Sequence, residues 1–179
     1  VQRAITRAEQ QSLTDPRSGL PSGRLIEEQL RRIIRTQDWA LLDIRIQNFE
    51  AFKDVYGFVA GDDVLRFTAM LMGEVVDELG TSNDFIGHAG GDNFIIITNQ
   101  EAATVVRQRL KTRFQEEVLS HYNFLDREQG YVITTGKDGG PAQIPLMTLA
   151  AGSVSPAQYD FADIREITEL AAEARRLNG

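Results

Sequence analysis

Apolar residues recur at helical spacing in some stretches of this chain and run together in others, and the two patterns alternate. Leu25, Ile26, Leu30, Ile33 and Ile34 share one helical face, so a helix capped by Ser22 is predicted to about residue 36. Residues 39–46 are largely apolar and read as a buried strand. A second helix is predicted over residues 48–55. A third is expected over residues 61–78, with Val64, Leu65, Thr68, Leu71 and Val75 turned inward. Residues 85–89 and 93–98 read as strands around Gly90-Gly91-Asp92, a hairpin turn in which glycine tolerates positive φ. Asn99 caps a helix to about residue 119, and residues 121–127 read as irregular. Strands are expected at 131–135 and 144–154 around a loop at 136–141, and a last helix at 163–177. This order predicts an α/β (α+β) sandwich, a mixed central β-sheet flanked by helices.

Ahead of these elements, TDPRSGLPSG is a loop by its turn chemistry. Residues 1–13 carry only a thin apolar stripe of Ile5, Ala8 and Leu13. Such a stripe suits a connecting helix from an upstream domain, and a frayed terminus is the plainer alternative.

The 179 residues are enough for one domain with its own core. Lys plus Arg is 19 and Asp plus Glu is 26, a formal net charge of −7. That balance argues against nucleic acid or an anionic membrane as the main partner. It leaves room for a small anion held by a few local groups. With no cysteine, disulfides, thiolate zinc sites and a cysteine nucleophile are excluded, and a reducing compartment fits. No apolar run has the length of a membrane span. The chain starts with Val and shows no signal peptide, which suggests a fragment of a larger protein in the cytoplasm.

Four segments in register carry a family resemblance. LTDPRSGLPSGRL (13–25) resembles the LTDxLTGLPNRRxF opening of GGDEF domains. NFEAFKDVYGFVAGDDVL (48–65) is similar to HFKxxNDxxGHxxGDxxL, IGHAGGDNFIII (86–97) to RYGGDEFxxxL, and LMTLAAGSV (146–154) to VTxSIGVA. The resemblance implies a nucleotidyl cyclase-like domain over residues 14–179. It also marks residues 119–145, longer than the family's usual connection, as a subfamily-specific extension. Active members join two GTP molecules into cyclic di-GMP across a face-to-face dimer, with Mg²⁺ held by carboxylates.

Aligned on Phe49, Tyr56 and Gly57, the family's first strand carboxylate falls on Arg45 and its second acidic position on Gln47. The fourth letter of GGDEF falls on Asn93. A cation and two neutral amides thus stand where the resemblance implies metal ligands, and an arginine keeps its charge in any protein environment. Asp43 lies on the same strand face, ~7 Å earlier by two strand rises. It is either a displaced metal ligand or a strand carboxylate with a local partner.

The resemblance makes Phe49, Lys53, Asp62, Gly90, Gly91 and Asp92 the candidates for nucleotide binding. Asp62 matches the family's guanine-reading Asp, and it equally suits the N-cap of the third helix. Lys53 replaces the partner Asn and has no acceptor; a solvated helix residue is its plainer reading. Glu50 puts negative charge where the family has a phosphate-contacting Lys. Gly90-Gly91 either approaches a ligand or simply turns the hairpin. Thr81 replaces the Arg of the RxxD product-inhibition motif that would end at Asp84, so no such site is expected. Arg175 and Arg176 lie near the family's phosphate-binding Lys, and also suit a helix C-terminus. His88 is expected to be packed or hydrogen bonded.

Three functions fit these residues. The first is a catalytically degenerate regulatory module of a larger bacterial signalling protein, linked to an upstream sensory or receiver domain and needing no cofactor. The second is a sensor that binds GTP or a related guanine nucleotide without turnover. The third is an active, homodimeric diguanylate cyclase with rearranged ligands, the one case that needs Mg²⁺.

Overall fold

The computed structural model describes residues 13–179. The expected connecting helix over residues 1–13 lies, Leu13 apart, outside the described residues. The elements in chain order are α1 (Gly23–Ile33), β1 (Trp39–Gln47), α2 (Phe49–Tyr56), α3 (Phe58–Leu79), β2 (Phe85–Gly90), β3 (Asn93–Asn99) and α4 (Gln100–Glu117). A 3₁₀ turn (Val118–His121), α5 (Phe124–Gln129), β4 (Tyr131–Thr135), β5 (Pro141–Pro145), β6 (Thr148–Val154) and α6 (Ile164–Asn178) follow.

Strands β2-β3-β1-β6 form the central sheet in that order. The α+β architecture agrees with expectation, but every neighbouring pair is antiparallel, so the sheet is not mixed. The reason lies in the strand order. β1 and β2 run the same way, yet β3 is inserted between them, a split βαβ arrangement.

Alternation along β1 feeds two cores. Ala40, Leu42, Ile44 and Ile46 meet α2, α3 and α4 through Phe52, Val64, Leu71 and Leu110, among others. Trp39 and Leu41 face α1 and α6, where Ile26, Leu30, Ile167 and Ala171 close the second core. β1 is therefore covered on both faces, which accounts for its near-continuous apolar run.

Several boundaries differ from expectation. α3 begins at Phe58, three residues before Gly61, because Gly57 at φ 93 ends α2 and starts α3 at once. Asp62 is thus inside the helix, and the N-cap reading of Asp62 is corrected. Residues 121–127 are not irregular: Asn123 caps α5 by accepting from the Asp126 N–H at 2.8 Å. One helical turn is too short to show a period. The single strand expected at 144–154 is two strands in different sheets. β5 pairs with β4, and β6 pairs with β1. The break falls where the buried Tyr122 hydroxyl accepts the Met147 N–H at 2.8 Å, removing that donor from any ladder.

The segment after α4 folds against α2. The Tyr56 hydroxyl donates to Asp126 and accepts the Asn123 N–H at 3.0 Å. Phe52, Tyr56 and Tyr122 form a stacked and edge-on ring cluster beneath them.

α6 approaches β6 closely at Gly152, where an added Cβ would collide with the Arg175 backbone nitrogen and lie 2.6 Å from the Ala174 carbonyl carbon and Arg175 Cα. Gly152→Ala is expected to push α6 off the sheet and cost about 3 kcal/mol, the scale of overpacking in a tight core. Urea denaturation would read this as a lowered midpoint with an unchanged slope.

Candidate functional site

The signature hairpin is held from behind by a buried histidine. Gly90 and Gly91 take φ 113 and 52, conformations open to glycine, and the β2–β3 register shifts between His88 and Gly90. The His88 ring is fully buried and stacks on Phe94 with centroids 4.3 Å apart. Its Nε2 lies 2.7 Å from the Gly91 carbonyl, which can only accept, so Nε2 carries the proton. Nδ1, 2.8 Å from Ser18 Oγ, then accepts from that hydroxyl. The His88 backbone N–H donates to Pro21 O at 2.8 Å. The 14–22 loop and the hairpin are therefore one unit. Burial pushes the His88 pKa down, although the Gly91 contact and Asp15 oppose this.

Asp15 anchors the same loop. It accepts from Arg17 Nε at 3.0 Å, Arg17 Nη2 at 2.8 Å and the Arg17 N–H at 2.8 Å. Burial raises its pKa, but the Arg17 bonds outweigh burial and leave it low.

At the end of the β1–β3 ladder, Arg45 on β1 stands directly opposite Asn93 on β3. Its side chain is 47% exposed, and its Nε lies 3.5 Å from Asp92 Oδ1. Asn93 leans along the sheet instead. Its Nδ2 donates to Asp43 Oδ1 at 2.9 Å and to Ile44 O at 2.8 Å. Arg175 from α6 donates to the same Asp43 oxygen at 2.9 Å, and the Asp43 and Arg175 side chains are only 8% and 10% exposed. Gln47 Oε1 accepts from Thr148 Oγ1 at 2.9 Å. Arg45, Gln47, Asn48, Phe49, Glu50 and Asp92 line an open cavity of about 560 Å³.

On α2 and α3 the remaining candidates meet. Lys53 Nζ lies 3.2 Å from Glu50 Oε1 and 5.2 Å from the centre of the Phe49 ring. The Lys53 stem covers Gly61: a Cβ there would lie 2.7 Å from Lys53 Cγ. Asp62, half-buried beside Gly61, interacts electrostatically with Arg17 and, after the Asp15 bond and against burial, helps raise the arginine's pKa.

The structure thus gathers Arg45, Asn93 and Asp92 at one end of the sheet, and Lys53 against Phe49 and over Gly61, the residue before Asp62. Arg175 reaches Asp43 rather than solvent. Asp84 accepts from the Thr81 N–H at 2.9 Å and from Thr98 Oγ1 at 2.8 Å, a local turn lock. Arg17 and Ser18 are site residues that the sequence reading does not single out. Their signal was two departures within the LTDxLTGLPN motif, Arg for Leu and Ser for Thr. Among the described residues, no group of three or more His, Cys, Asp or Glu side chains is placed to hold a metal ion. No described helix is long and apolar enough to cross a membrane.

Residues 12–137 match the family model for the diguanylate cyclase GGDEF domain. The chain belongs to the GGDEF family. It is 36% identical over 110 residues to the diguanylate cyclase DgcP of Pseudomonas aeruginosa, covering 57% of this chain and 16% of that protein. It is 26% identical over 146 residues to a diguanylate cyclase of Vibrio cholerae, covering 80% of this chain and 38% of that protein. The chain therefore spans well under half the length of these relatives. Among solved structures, the GGDEF domain of YfiN from P. aeruginosa superposes with a TM-score of 0.66 at 19% identity, covering 92% of this chain and 87% of the other. The coiled coil and GGDEF domain of DgcB from Caulobacter crescentus, in complex with c-di-GMP, gives 0.65 at 21%, covering 95% and 82%. The fold is that of GGDEF domains.

Two outcomes are expected of this GGDEF domain. The folded-state pKa of His88 lies below its ordinary 6.5, so between the two values the unfolded chain binds a proton that the folded chain does not. Stability is then full above that window and falls as pH drops below 6.5. Burial lowers His121 in the same direction. Urea midpoints measured from pH 8 to 5, in buffers about a unit apart, should fall, and His88→Gln should flatten part of the slope. Arg175→Met would leave the Asp43 carboxylate buried without its cation and should cost about 3–5 kcal/mol. The same change in an Asp43→Leu background should cost much less, a coupling readable by a double-mutant cycle.

Proposed function

We propose that this GGDEF domain is catalytically degenerate and works as a regulatory module of a larger bacterial signalling protein. The observation that carries this is Arg45. At the strand position that the family resemblance assigns to a metal carboxylate stands a guanidinium, paired with Asp92 and facing Asn93. Mg²⁺ prefers hard, anionic oxygens in near-octahedral array. Here Arg45 contributes positive charge, Asp92 is engaged by it, and the Gln47 oxygen already accepts from Thr148. Asn93 turns its amide nitrogen toward Asp43, and Asp43 is engaged by Arg175. This donor set does not fit Mg²⁺, and no step through the ion is derived. The displaced-ligand role of Asp43 is disfavoured on the same ground.

Residues 14–179 act as one unit in this reading, with residues 119–145 as a subfamily-specific extension that braces α2. Signal passes through covalent neighbours, and the working location is the cytoplasm. The solved structure of DgcB contains a coiled coil together with its GGDEF domain, a precedent for an attached neighbouring element.

Calorimetric titration with a non-hydrolysable GTP analogue, with and without Mg²⁺, tests the proposal alongside a product assay with GTP. The expected result is no Mg²⁺-dependent heat and no cyclic di-GMP. Mg²⁺-dependent binding with product formation that is lost in Asp43→Ala would return the cyclase reading. Binding indifferent to Mg²⁺ would favour a GTP sensor.

A further inference from the structure

The β4–β5 ribbon forms a sheet of its own, and its two outer edges differ in chemistry. Its ladder continues into the turn, where the Gly136 N–H donates to Gly140 O at 2.6 Å. Bonded and non-bonded pairs alternate along an antiparallel ladder. Thr134 with Ala142 and Val132 with Ile144 are therefore the bonded pairs. The residues of the other pairs, Thr135 with Pro141, Ile133 with Gln143 and Tyr131 with Pro145, turn their backbone polar groups outward. On β5 that outward set is Pro141, Gln143 and Pro145, and proline has no N–H to give. Only Gln143 can donate there, so the β5 edge is closed to a further strand.

β4 is the opposite case. Its outward residues are Tyr131, Ile133 and Thr135 in the run YVITT, which is β-branched at every position after Tyr131 and holds no proline and no charge. Val132 points into the core, while Ile133 is 55% exposed. Gln129 Nε2 donates to Tyr131 O at 2.8 Å, and among the described residues no other hydrogen bond reaches this edge. The central sheet treats its edges differently. On β2 the His88 N–H goes to Pro21 O at 2.8 Å, and on β6 Arg107 Nε donates to Ala151 O at 2.7 Å. α2 and α5 both touch β4, and they carry the exposed side chains of Val55, Phe124 and Leu125.

We propose that the outer edge of β4 pairs with β4 of a second copy of this chain, giving a four-stranded sheet in the order β5-β4-β4-β5 about a two-fold axis at Ile133. The edge is self-complementary. Antiparallel pairing centred on Ile133 sets that residue against its own copy, each N–H meeting the other's C=O, and sets Tyr131 against Thr135. A strand paired with its own copy puts like side chains opposite at the centre. A charge there would repel itself, whereas a neutral β-branched residue packs. The absence of charge from YVITT thus suits a second copy, and the prolines of β5 leave one edge, not two, so that the assembly stops at a pair. Five residues a side bury less than the ~1,200 Å² of a stable interface, so the pair is weak and forms between roughly 10 μM and 1 mM. The contact uses neither the signature hairpin nor the positions of the metal ligands. It differs from the face-to-face dimer of active family members, and it does not depend on whether the domain is catalytic.

Sedimentation equilibrium of the whole chain, without nucleotide, should show a reversible monomer–dimer equilibrium over roughly 10 μM to 1 mM. Ile133→Lys and Ile133→Glu each place like charges at the two-fold axis and should each weaken the dimer by about tenfold or more. An equimolar mixture of the two variants should pair again, because a lysine of one copy then meets a glutamate of the other. That rescue also shows that both variants fold. A second measurement needs no substitution. In the native chain the Ile133 N–H should exchange with solvent more slowly as concentration rises through the dimer range, while the Val132 N–H, bonded to β5, stays protected throughout. A chain still monomeric at about 1 mM, which leaves the edge to a strand of another protein, overturns the proposal. So does a dimer that keeps its affinity in both variants, since another surface then holds it. Variants that dissociate and do not pair when mixed, or an Ile133 N–H whose exchange ignores concentration, overturn it as well.

Discussion

A carboxylate in the middle of a strand that is covered on both faces must be paired, and Asp43 is that carboxylate. Its one oxygen, Oδ1, collects a donor from α6 and a donor from the signature hairpin. The position of the C-terminal helix, the tilt of Asn93 along the sheet and the closeness of Gly152 to the α6 backbone all belong to this arrangement. Isolated, the pair would be a poor source of stability, since desolvating two charges offsets most of their attraction. Its structural effect is geometric. It ties three elements distant in sequence to one atom.

The second constraint runs through His88. A neutral imidazole with one donor and one acceptor reads polarity, and its hydrogen-bond partners, the Gly91 carbonyl and the Ser18 hydroxyl, match that polarity. Through this ring the 14–22 loop and the hairpin share a geometry, although 70 residues separate Ser18 from His88. The glycines supply the turn itself, and the histidine decides which way it faces.

Around the site, charges are settled by other side chains of the same domain. Arg45 faces Asp92, Arg175 faces Asp43, Arg17 faces Asp15, and Lys53 faces Glu50. The exposed pairs among these are weak, a fraction of a kcal/mol to about 1 kcal/mol each. Together they describe an electrostatic state distinct from one built around divalent cations, where carboxylates cluster and repel until an ion arrives.

Much of the architecture was legible in the sequence because burial leaves a periodic trace. The apolar run of β1, the helical stripes of α1, α3 and α4, and the Gly-Gly turn each follow from local chemistry. So did the departures at Arg45, Gln47 and Asn93, because four motifs in register fix which strand and turn positions they occupy. What failed was local in extent or long in range. The one-turn α5 has no period to read, and Pro145-Leu146-Met147 looks like continuous strand until Tyr122 takes the Met147 N–H. Asp62 matched a cap by its sequence neighbours, and only the start of α3 at Phe58 placed it elsewhere. Family and fold type were thus determined by the sequence alone, and so were the positions that depart from the family pattern. Tertiary structure decided the partners: Arg175 for Asp43, Asp92 for Arg45, and Ser18 for His88. The reason is physical. Periodicity records which face of an element is buried, whereas the partner of a charge depends on which distant elements the packed cores bring against it.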